Sequence, residues 1–306
     1  MTLDIRPSRP DDLPTAVAIR SRVFPYEISA LETFRWHAEK TPAQARFRMF
    51  VAELGGRVVG YSTAMLTWDS SRPDQGRIVA MVDPDHRRTG VGSALVNVAE
   101  GHLRTAGATI VRSAGPIPEA DEFAHRRGYE RRSISHHQEL DLAGLPVPPP
   151  KPAGVELRPT ADYADDPRPV HAVDEAVSAD EPSDIPIDAM PYDTWLDLVW
   201  NEPRLDHELS VVLLVDGRPG GIVAFQSDRR TRLVSAMTGT LREYRGRRFA
   251  KYAKAAALHR ARERGFRLAY TANDHTNAPM LAINTWLGYR HHTTEGHYDL
   301  ALCVDS

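Results

Sequence analysis

The sequence predicts an α/β fold with a mixed α+β sheet, and it predicts this fold twice in one chain. Short strand patterns alternate with helical patterns over most of the 306 residues. The glycine pair Gly55-Gly56 joins two β-rich runs, which is typical of an antiparallel hairpin and argues against a purely parallel sheet. The same order of elements begins again after a segment with five prolines between residues 145 and 152.

Apolar periodicity and turn residues define the elements of the first copy. Asp11 and Asp12 precede a helical pattern and can cap it. Gly107 and Gly128 each follow a helical pattern and end it. The predicted elements are a strand at 3–7, helices near 13–19 and 29–40, a hairpin at 46–66, a strand at 78–82, a helix ending near 107, a strand at 109–112, a helix at 118–127 and a strand at 133–142.

The second copy repeats these elements at a nearly constant offset. The two helix-ending glycines, Gly107 and Gly265, are 158 residues apart, as are Arg87 and Arg245. The proline-rich segment between the copies predicts a stiff, extended connector. We therefore expect a first domain at 1–144, a linker at 145–153 and a second domain at 154–306.

Composition excludes several classes of protein. The net charge of −3 does not favour a polyanionic partner, so we expect no nucleic acid. The single cysteine, Cys303, cannot form an intramolecular disulfide or a cysteine-rich metal site. No apolar run approaches the roughly 18 residues that span a bilayer, and the N-terminus lacks the layout of a signal peptide. We expect a cytoplasmic protein with no membrane partner and no metal.

The most informative stretch lies between a buried strand and a helix. The apolar run Ile78–Val82 predicts the strand, and Val91, Leu95 and Val98 place an apolar stripe on the helix. The turn between them contains two arginines and two glycines, Gly90 and Gly92. Unpaired N–H groups at a helix N-terminus attract anions, and glycines let a phosphate approach the backbone. This turn therefore predicts a phosphate site.

The turn resembles the Arg/Gln-x-x-Gly-x-Gly/Ala signature of the GNAT acyltransferases. With the duplication, the whole chain resembles a tandem GNAT protein of the mycothiol-synthase-like type, with two GNAT folds. The resemblance implies acetyl-CoA as cofactor. It implies backbone contacts from the strand before the turn, and pyrophosphate contacts from the turn itself. The residues concerned are Met81, Val82, Arg87, Arg88, Thr89, Gly90, Val91, Gly92 and Ser93.

The second copy resembles the family in a different part of the pattern. Asn277, Met280 and Asn284 match an Asn-x-x-Met…Asn-x-x-Leu-Gly run, in which the family's asparagines lie near the pantetheine arm. Asn277 is equally well placed to cap the helix that begins near Ala278. The turn of the second copy that aligns with Arg87 to Gly92 adds Arg245, Arg247 and Ala250 as further candidates for contact with the cofactor.

Both copies depart from the family pattern. Arg248 stands where the family has its first glycine, and the first copy lacks the asparagines. Many GNAT proteins have a tyrosine, acting as general acid, four residues before the late glycine. Here Ala124 and Asn284 occupy those positions, so no catalytic residue can be named from the sequence.

The function implied by the resemblance is transfer of an acetyl group from acetyl-CoA to a primary amine of a small molecule by direct attack. One alternative is an antibiotic-modifying acetyltransferase; another is a non-catalytic or half-degenerate CoA-binding scaffold. An acidic segment between Asp174 and Trp195 is a solvated loop or the lining of a pocket for a cationic amine. A basic cluster from Arg242 to Lys254 fits nucleic acid or the phosphates of CoA. The oligomeric state is left open.

Overall fold

The computed structural model describes residues 2–68, 70, 72–180 and 189–302, and the chain divides into two compact units. The first unit contains residues up to 134 and residues from 294 onward. The second unit contains residues 135–180 and 189–293. Cys303 and the acidic residues Glu181, Asp184 and Asp188 lie outside the described residues.

The first unit is a mixed sheet of six strands with helices between them. Four strands form an antiparallel meander, the fifth pairs parallel to the fourth, and the last strand of the chain completes the sheet in the order β1-β2-β3-β4-β5-β12. The elements are β1 (Leu3–Pro7), α1 (Leu13–Val23), α2 (Leu31–Lys40), β2 (Arg48–Leu54), β3 (Arg57–Leu66), β4 (Gln75–Val82), α3 (Val91–Thr105), β5 (Ile110–Pro116), α4 (Glu119–Arg126) and β12 (Arg290–Ala301).

The second unit repeats this topology. Its strand order is β7-β8-β9-β10-β11-β6, with β10 and β11 parallel and the other neighbours antiparallel. The elements are β6 (Glu130–Asp141), β7 (Val155–Pro159), α5 (Arg168–Ser178), α6 (Tyr192–Trp195, continued by a π-helical turn at Leu196–Trp200), β8 (Val211–Val215), β9 (Arg218–Ser227), β10 (Arg232–Thr240), α7 (Phe249–Glu263), β11 (Leu268–Asp274) and α8 (Ala278–Leu287).

The two halves of the chain exchange their last strands. In the first unit, residues 110–116 of β5 pair antiparallel with residues 295–301 of β12, so Gly115 lies opposite Gly296. In the second unit, residues 268–274 of β11 pair with residues 135–141 of β6. The compact units therefore do not follow the predicted domains 1–144 and 154–306, because each unit is completed by a strand from the other half of the chain.

The predicted mixed α/β fold and its duplication are confirmed. The residues at the hairpin turns adopt the conformation that such turns need. Gly55 and Gly56 both have positive φ, and Asp216 and Gly217 repeat this conformation in the second unit. Such turns match the twist of the strands that they join. Within the described residues, no helix is both long and apolar enough to cross a bilayer.

The cores lie where the helices cover the sheets. On α3, Val91, Leu95, Ala99 and Leu103 recur every four residues and are all buried. On α7 the corresponding stripe is dominated by alanines, which lets the helix approach the sheet closely. Gly60 on β3 permits the approach of α3, since a Cβ there would lie 2.9 Å from the Met81 carbonyl oxygen and 3.1 Å from Leu95.

Candidate functional site

Two parallel strands of the first unit separate after a short pairing. Residues 75–77 of β4 pair with residues 110–112 of β5. Beyond this point β4 continues beside β3, and β5 continues beside β12. Because the two strands no longer pair there, a cleft opens between them in the sheet. Residues of both strands line this cleft.

A cavity of about 470 Å³ occupies this cleft. Its walls come from α1, from the diverging strands, from the turn before α3 and from α4. The residues that line it are Val23, Phe24, Ile78, Val79, Ala80, Met81, Val82, Arg87, Arg88, Gly90, Gly92, Ser93, Val96, Ser113, Ala114, Gly115, Pro116, Glu119, Ala120, Phe123, Ala124, Arg126, Tyr129 and Tyr298.

The cavity reaches both faces of the sheet. Side chains alternate along β4, so Ile78 packs with buried residues of α3 while Met81 approaches Arg20 of α1. Both residues line the cavity. One end therefore lies against α1, at Val23 and Phe24, and the other lies against α3 and α4. A cleft open to both faces can admit two reactants from opposite sides.

The turn before α3 has the backbone conformation of an anion site. Arg88 has φ 62° and Gly90 has φ 87°, so two left-handed residues alternate with ordinary ones just before the helix begins at Val91. Such turns direct successive N–H groups to one side and form a concave site for anions. The helix N-terminus adds a partial positive charge at the same place.

Arginines surround this turn, and two carboxylates of α4, Glu119 and Glu122, partly balance them. Arg87, Arg88 and Arg126 all line the cavity. Glu122 accepts a hydrogen bond from Arg88 at 2.5 Å and lies 3.3 Å from Arg126. The Arg88 hydrogen bond lowers the pKa of Glu122. The α3 end of the cavity therefore combines oriented N–H groups with an excess of cationic side chains.

Two buried phenols line the same end. The Tyr129 hydroxyl donates to Glu100 at 2.9 Å, and the Tyr298 hydroxyl donates to Asp121 at 2.8 Å. Burial, together with the neighbouring carboxylate in each case, raises the pKa of both phenols above the usual range, so both stay protonated. Gly296 makes room for the Tyr298 ring, because a Cβ there would lie 2.3 Å from the hydroxyl oxygen.

The structure brings most of the predicted first-copy residues together at the cavity. Met81, Val82, Arg87, Arg88, Gly90, Gly92 and Ser93 all line it. The side chains of the other two point elsewhere. Thr89 donates its hydroxyl to the His86 carbonyl at 2.6 Å, and Val91 packs in the apolar cluster with Leu95. For these two residues, only the backbone N–H is suited to the predicted role.

Several lining residues were not predicted from the sequence. Val23 and Phe24 end a helix whose pattern indicates only packing. Tyr298 lies on an alternating strand more than 200 residues along the chain from the glycine turn, and the strand exchange brings it to the cavity. Tyr129 directly follows Gly128, the glycine that ends a helical pattern, and nothing in this local sequence indicates a site.

The second-copy turn keeps the backbone shape of the first. Gly246 has φ 75° and Arg248 has φ 64°, so the residue that replaces the family's glycine adopts the same left-handed conformation as Gly90. The cationic candidates around it have other partners. Arg245 donates to Asp180 at 2.5 Å, and the Arg247 guanidinium lies 5.8 Å from the centroid of the Tyr244 ring. Ala250 is half-buried in the first turn of α7.

The structure places Asn284, a predicted cofactor contact, inside a polar network. Asn284 is fully buried, and its side-chain amide is bonded to Lys254, Gln138 and Asn273. Its hydrogen-bonding groups are thus used within the unit. Asn277 caps α8, accepting a hydrogen bond from the Met280 N–H at 3.3 Å, as the helix-cap interpretation predicts.

The two other charged clusters pair with each other at one point, Asp180. In the basic cluster, Arg242 and Arg245 bind Asp180, and they lower the pKa of that carboxyl to about 2. In the acidic segment, Asp174 accepts from the Trp195 indole at 2.8 Å. Neither cluster forms part of the cavity described above. Among residues 2–68, 70, 72–180 and 189–302, no group of three or more potential ligand side chains is placed to bind a metal.

The residues of the first unit fit a phosphate-bearing cofactor such as acetyl-CoA. A Cβ at Gly92 would lie 3.6 Å from both Phe123 and Val82, so its absence leaves the cavity open beside the helix N-terminus. The left-handed turn and the arginines lie next to this opening. The apolar side chains along β4 and α4 suit the less polar part of such a molecule.

These features define a protein with a duplicated fold and, between diverging strands, a cleft whose backbone and charges suit an anion. The acetyltransferase (GNAT) family model matches residues 14–129 and again residues 170–289. The chain therefore belongs to the GNAT acetyltransferase family and contains its domain twice.

Comparison with individual proteins gives the following relatives. A mycothiol acetyltransferase of Frankia casuarinae is 34% identical over 131 residues, which are 42% of this chain and 36% of that protein. The chain thus matches little more than a third of that relative's length. A GCN5-related N-acetyltransferase of Sphaerobacter thermophilus has a TM-score of 0.74 at 18% identity, covering 98% of this chain and 95% of its own. A tandem GNAT protein from the clavulanic acid biosynthesis pathway has a TM-score of 0.71 at 20% identity, covering 98% of both chains.

Proposed function

We propose that this protein transfers an acetyl group from acetyl-CoA to a primary amine of a small molecule, and that the reaction takes place in the first unit. The acyl donor would supply an activated thioester, which the amine attacks directly. Acetyl-CoA is a cytoplasmic metabolite in this role, so we place the proposed reaction in the cytoplasm.

The observation that carries the proposal is the cavity that reaches both faces of the sheet. Its α3 end has the features that phosphates require: the left-handed turn at Arg88 and Gly90, and the arginines beside it. Its α1 end is lined by Val23 and Phe24. A donor that binds by its phosphates at one end and an acceptor that enters at the other would meet between β4 and β5.

The residues of the chain have distinct roles in this proposal. The backbone N–H groups between Arg88 and Gly92 bind the pyrophosphate, and Arg87 adds charge. Where β4 and β5 separate, backbone groups of Met81 and Val82 face the cleft and can orient the thioester. The Tyr298 hydroxyl donates its proton to Asp121, so its oxygen is an acceptor for an N–H group in the cavity.

The acceptor end is apolar with a charged rim. The Phe24 ring lies 5.6 Å from the Arg20 guanidinium, and Arg20 also pairs with Glu27. Met81 on β4 also lines the cavity, and its sulfur accepts a hydrogen bond from the Tyr61 hydroxyl at 3.1 Å. We expect an acceptor with an apolar body, because its amine must reach the cleft past Val23 and Phe24.

The direct test is the release of thiol from acetyl-CoA in the presence of a panel of small primary amines, with mass spectrometry of the acetylated product. The proposal expects amine-dependent release with the whole chain. Arg87→Glu should raise the KM for acetyl-CoA at least tenfold, through repulsion of the phosphates. Arg57→Glu, at the exposed start of β3, is the matched charge reversal and should leave the KM unchanged.

Turnover without amine dependence would contradict the proposed acceptor class. Tight CoA binding with no turnover for any amine would instead identify a non-catalytic CoA-binding protein. An equal rise in KM for both charge reversals would contradict the placement of the phosphates beside Arg87.

A further inference from the structure

Each position of the first-unit cavity has a counterpart in the second unit. On the helices, the offset of 158 residues that relates Arg87 to Arg245 relates Val96 on α3 to Lys254 on α7. The same offset relates Ile110 and Leu268, the first residues of β5 and β11, and each of them begins the parallel pairing of its strand. With this offset, Asn273 on β11 corresponds to Gly115 on β5.

The exchanged strands and the last helices align equally well. Tyr298 lies opposite Ser113 on β5, and Gln138 lies opposite Thr271, the counterpart of Ser113, on β11. The N–H of Tyr129 donates to the carbonyl of Ala124 at 3.0 Å, and the N–H of Tyr289 donates to the carbonyl of Asn284 at the same distance. Ala124 and Asn284 are therefore equivalent. The four pairs are Val96 and Lys254, Gly115 and Asn273, Ala124 and Asn284, and Tyr298 and Gln138.

In the first unit all four of these residues line the cavity, whereas in the second unit the four counterparts bond to one another. The Lys254 amine donates to Asn284 Oδ1 at 2.8 Å. Asn284 Nδ2 donates to Gln138 Oε1 at 3.1 Å and to Asn273 Oδ1 at 2.7 Å. Small or apolar walls are thus replaced by a connected polar network centred on Asn284.

The centre of this network is buried, and Asn273 lies at its partly exposed edge. Lys254 is 1% exposed and Asn284 is 0% exposed. The Lys254 amine also lies 5.3 Å from the centroid of the Tyr289 ring. Burial lowers the pKa of Lys254 to about 7, which accords with an amine that has no access to water. A pantetheine arm entering here would have to displace side chains that satisfy each other's hydrogen bonds.

The arginine that corresponds to Arg87 is also held differently in the second unit, and this observation is independent of the network. Asp180 accepts hydrogen bonds from Arg245, the counterpart of Arg87, and from Arg242. In the first unit the corresponding arginine, Arg87, lines the cavity.

We infer that the chain binds a single acyl-CoA, in the first unit, and that the second unit closes its equivalent cleft with the Lys254–Asn284 network. The inference rests on the proposed function, since it assumes that acyl-CoA is the ligand of the intact cleft. It assigns the second unit a supporting role and assigns all transfer chemistry to the first.

The test is isothermal titration of the whole chain with CoA, using one matched pair of variants. Gly92→Glu and Ala250→Glu place the same carboxylate at equivalent positions in the first turns of α3 and α7. The inference expects one CoA per wild-type chain, loss of at least a hundredfold in affinity for Gly92→Glu, and wild-type affinity and stoichiometry for Ala250→Glu. Circular dichroism and thermal melting confirm that both variants are folded.

The outcomes separate this inference from the proposed function. Two CoA molecules per chain, or a loss of binding in Ala250→Glu alone, would overturn the single-site inference while leaving acetyl transfer possible. One CoA bound in the first unit, with no transfer to any amine, would support the inference and contradict the proposed function. An absence of CoA binding by the wild-type chain would overturn both.

Discussion

The buried amine of Lys254 makes a specific prediction about how stability depends on pH. Replacement by methionine gives an unbranched side chain one atom shorter than lysine and removes the titratable group. In the folded chain the pKa of Lys254 is about 7, against 10.5 for an unburied lysine. Between these values the unfolded chain carries the proton and the folded chain does not. Unfolding then takes up a proton, so the free energy of unfolding rises with pH in this window.

The size of the effect follows from the two pKa values. Each pH unit in the window adds up to about 1.4 kcal/mol to the free energy of unfolding, and the full window corresponds to roughly 5 kcal/mol. Below pH 7 both states are protonated, and the wild-type chain bears the whole cost of a buried cation. Lys254→Met avoids that cost but leaves Asn284 Oδ1 without its donor, at about 1–3 kcal/mol. The variant should therefore be the more stable protein near pH 6 and the less stable near pH 10.

The measurement is urea unfolding at intervals between pH 6 and pH 10, followed by tryptophan fluorescence. The control is Lys251→Met, one turn earlier on α7, where the amine lies 3.7 Å from the centroid of the Trp286 ring. This control should keep the wild-type dependence on pH. If wild type and Lys254→Met show the same slope between pH 7 and pH 10, the amine is not held neutral in the folded state and the reasoning fails.

Three further predictions concern backbone conformation and buried contacts. Arg248→Gly should stabilise the chain by up to about 1 kcal/mol, because Arg248 has φ 64° in a region that glycine adopts without strain. Gly221→Ala should destabilise it by about 1–3 kcal/mol, because a Cβ would lie 2.6 Å from the Gly239 carbonyl oxygen. Tyr129→Phe should cost about 1–3 kcal/mol, because the buried Glu100 carboxylate loses a donor at 2.9 Å. Each is measured as a change in the free energy of unfolding in urea.

Two of these variants, Arg248→Gly and Gly221→Ala, have a matched control in the chain. Arg247→Gly changes the neighbouring arginine, whose φ is not positive, and should not stabilise the protein. Gly144→Ala adds a methyl group at a position with no atom within 4 Å, and should have little effect. A stabilising Gly221→Ala, or equal effects of Arg248→Gly and Arg247→Gly, would contradict the steric reasoning.

The glycine turn was predictable because its signals are local. Gly90 and the arginines before it occupy consecutive positions, and a strand followed by a helix brackets them. The conformation of the second turn was less obvious. Arg248 suggested a lost glycine site, yet the backbone keeps its left-handed shape there and accepts the strain of a side chain.

The site's remaining walls depend on long-range pairing that no local pattern encodes. β6 and β12 are both 12 residues long, and each contains an adjacent pair of histidines. Alternation fixes which side chains share a face but not which strand lies alongside. Tyr298 therefore could not be placed at the cavity from the sequence, and Asn284 could not be placed in a network without knowing that Lys254 lies opposite it.

The strand exchange also limits how this chain can be divided or recombined. Neither half of the chain contains all the strands of one unit. A fragment that ends in the segment 145–153 would contain β6 but would lack β12, the strand that carries Tyr298. The two fragments would have to associate to complete both sheets. The first unit as the structure has it consists of residues up to 134 and residues from 294 onward. A cut in the middle of the chain therefore separates each unit from the strand that completes its sheet.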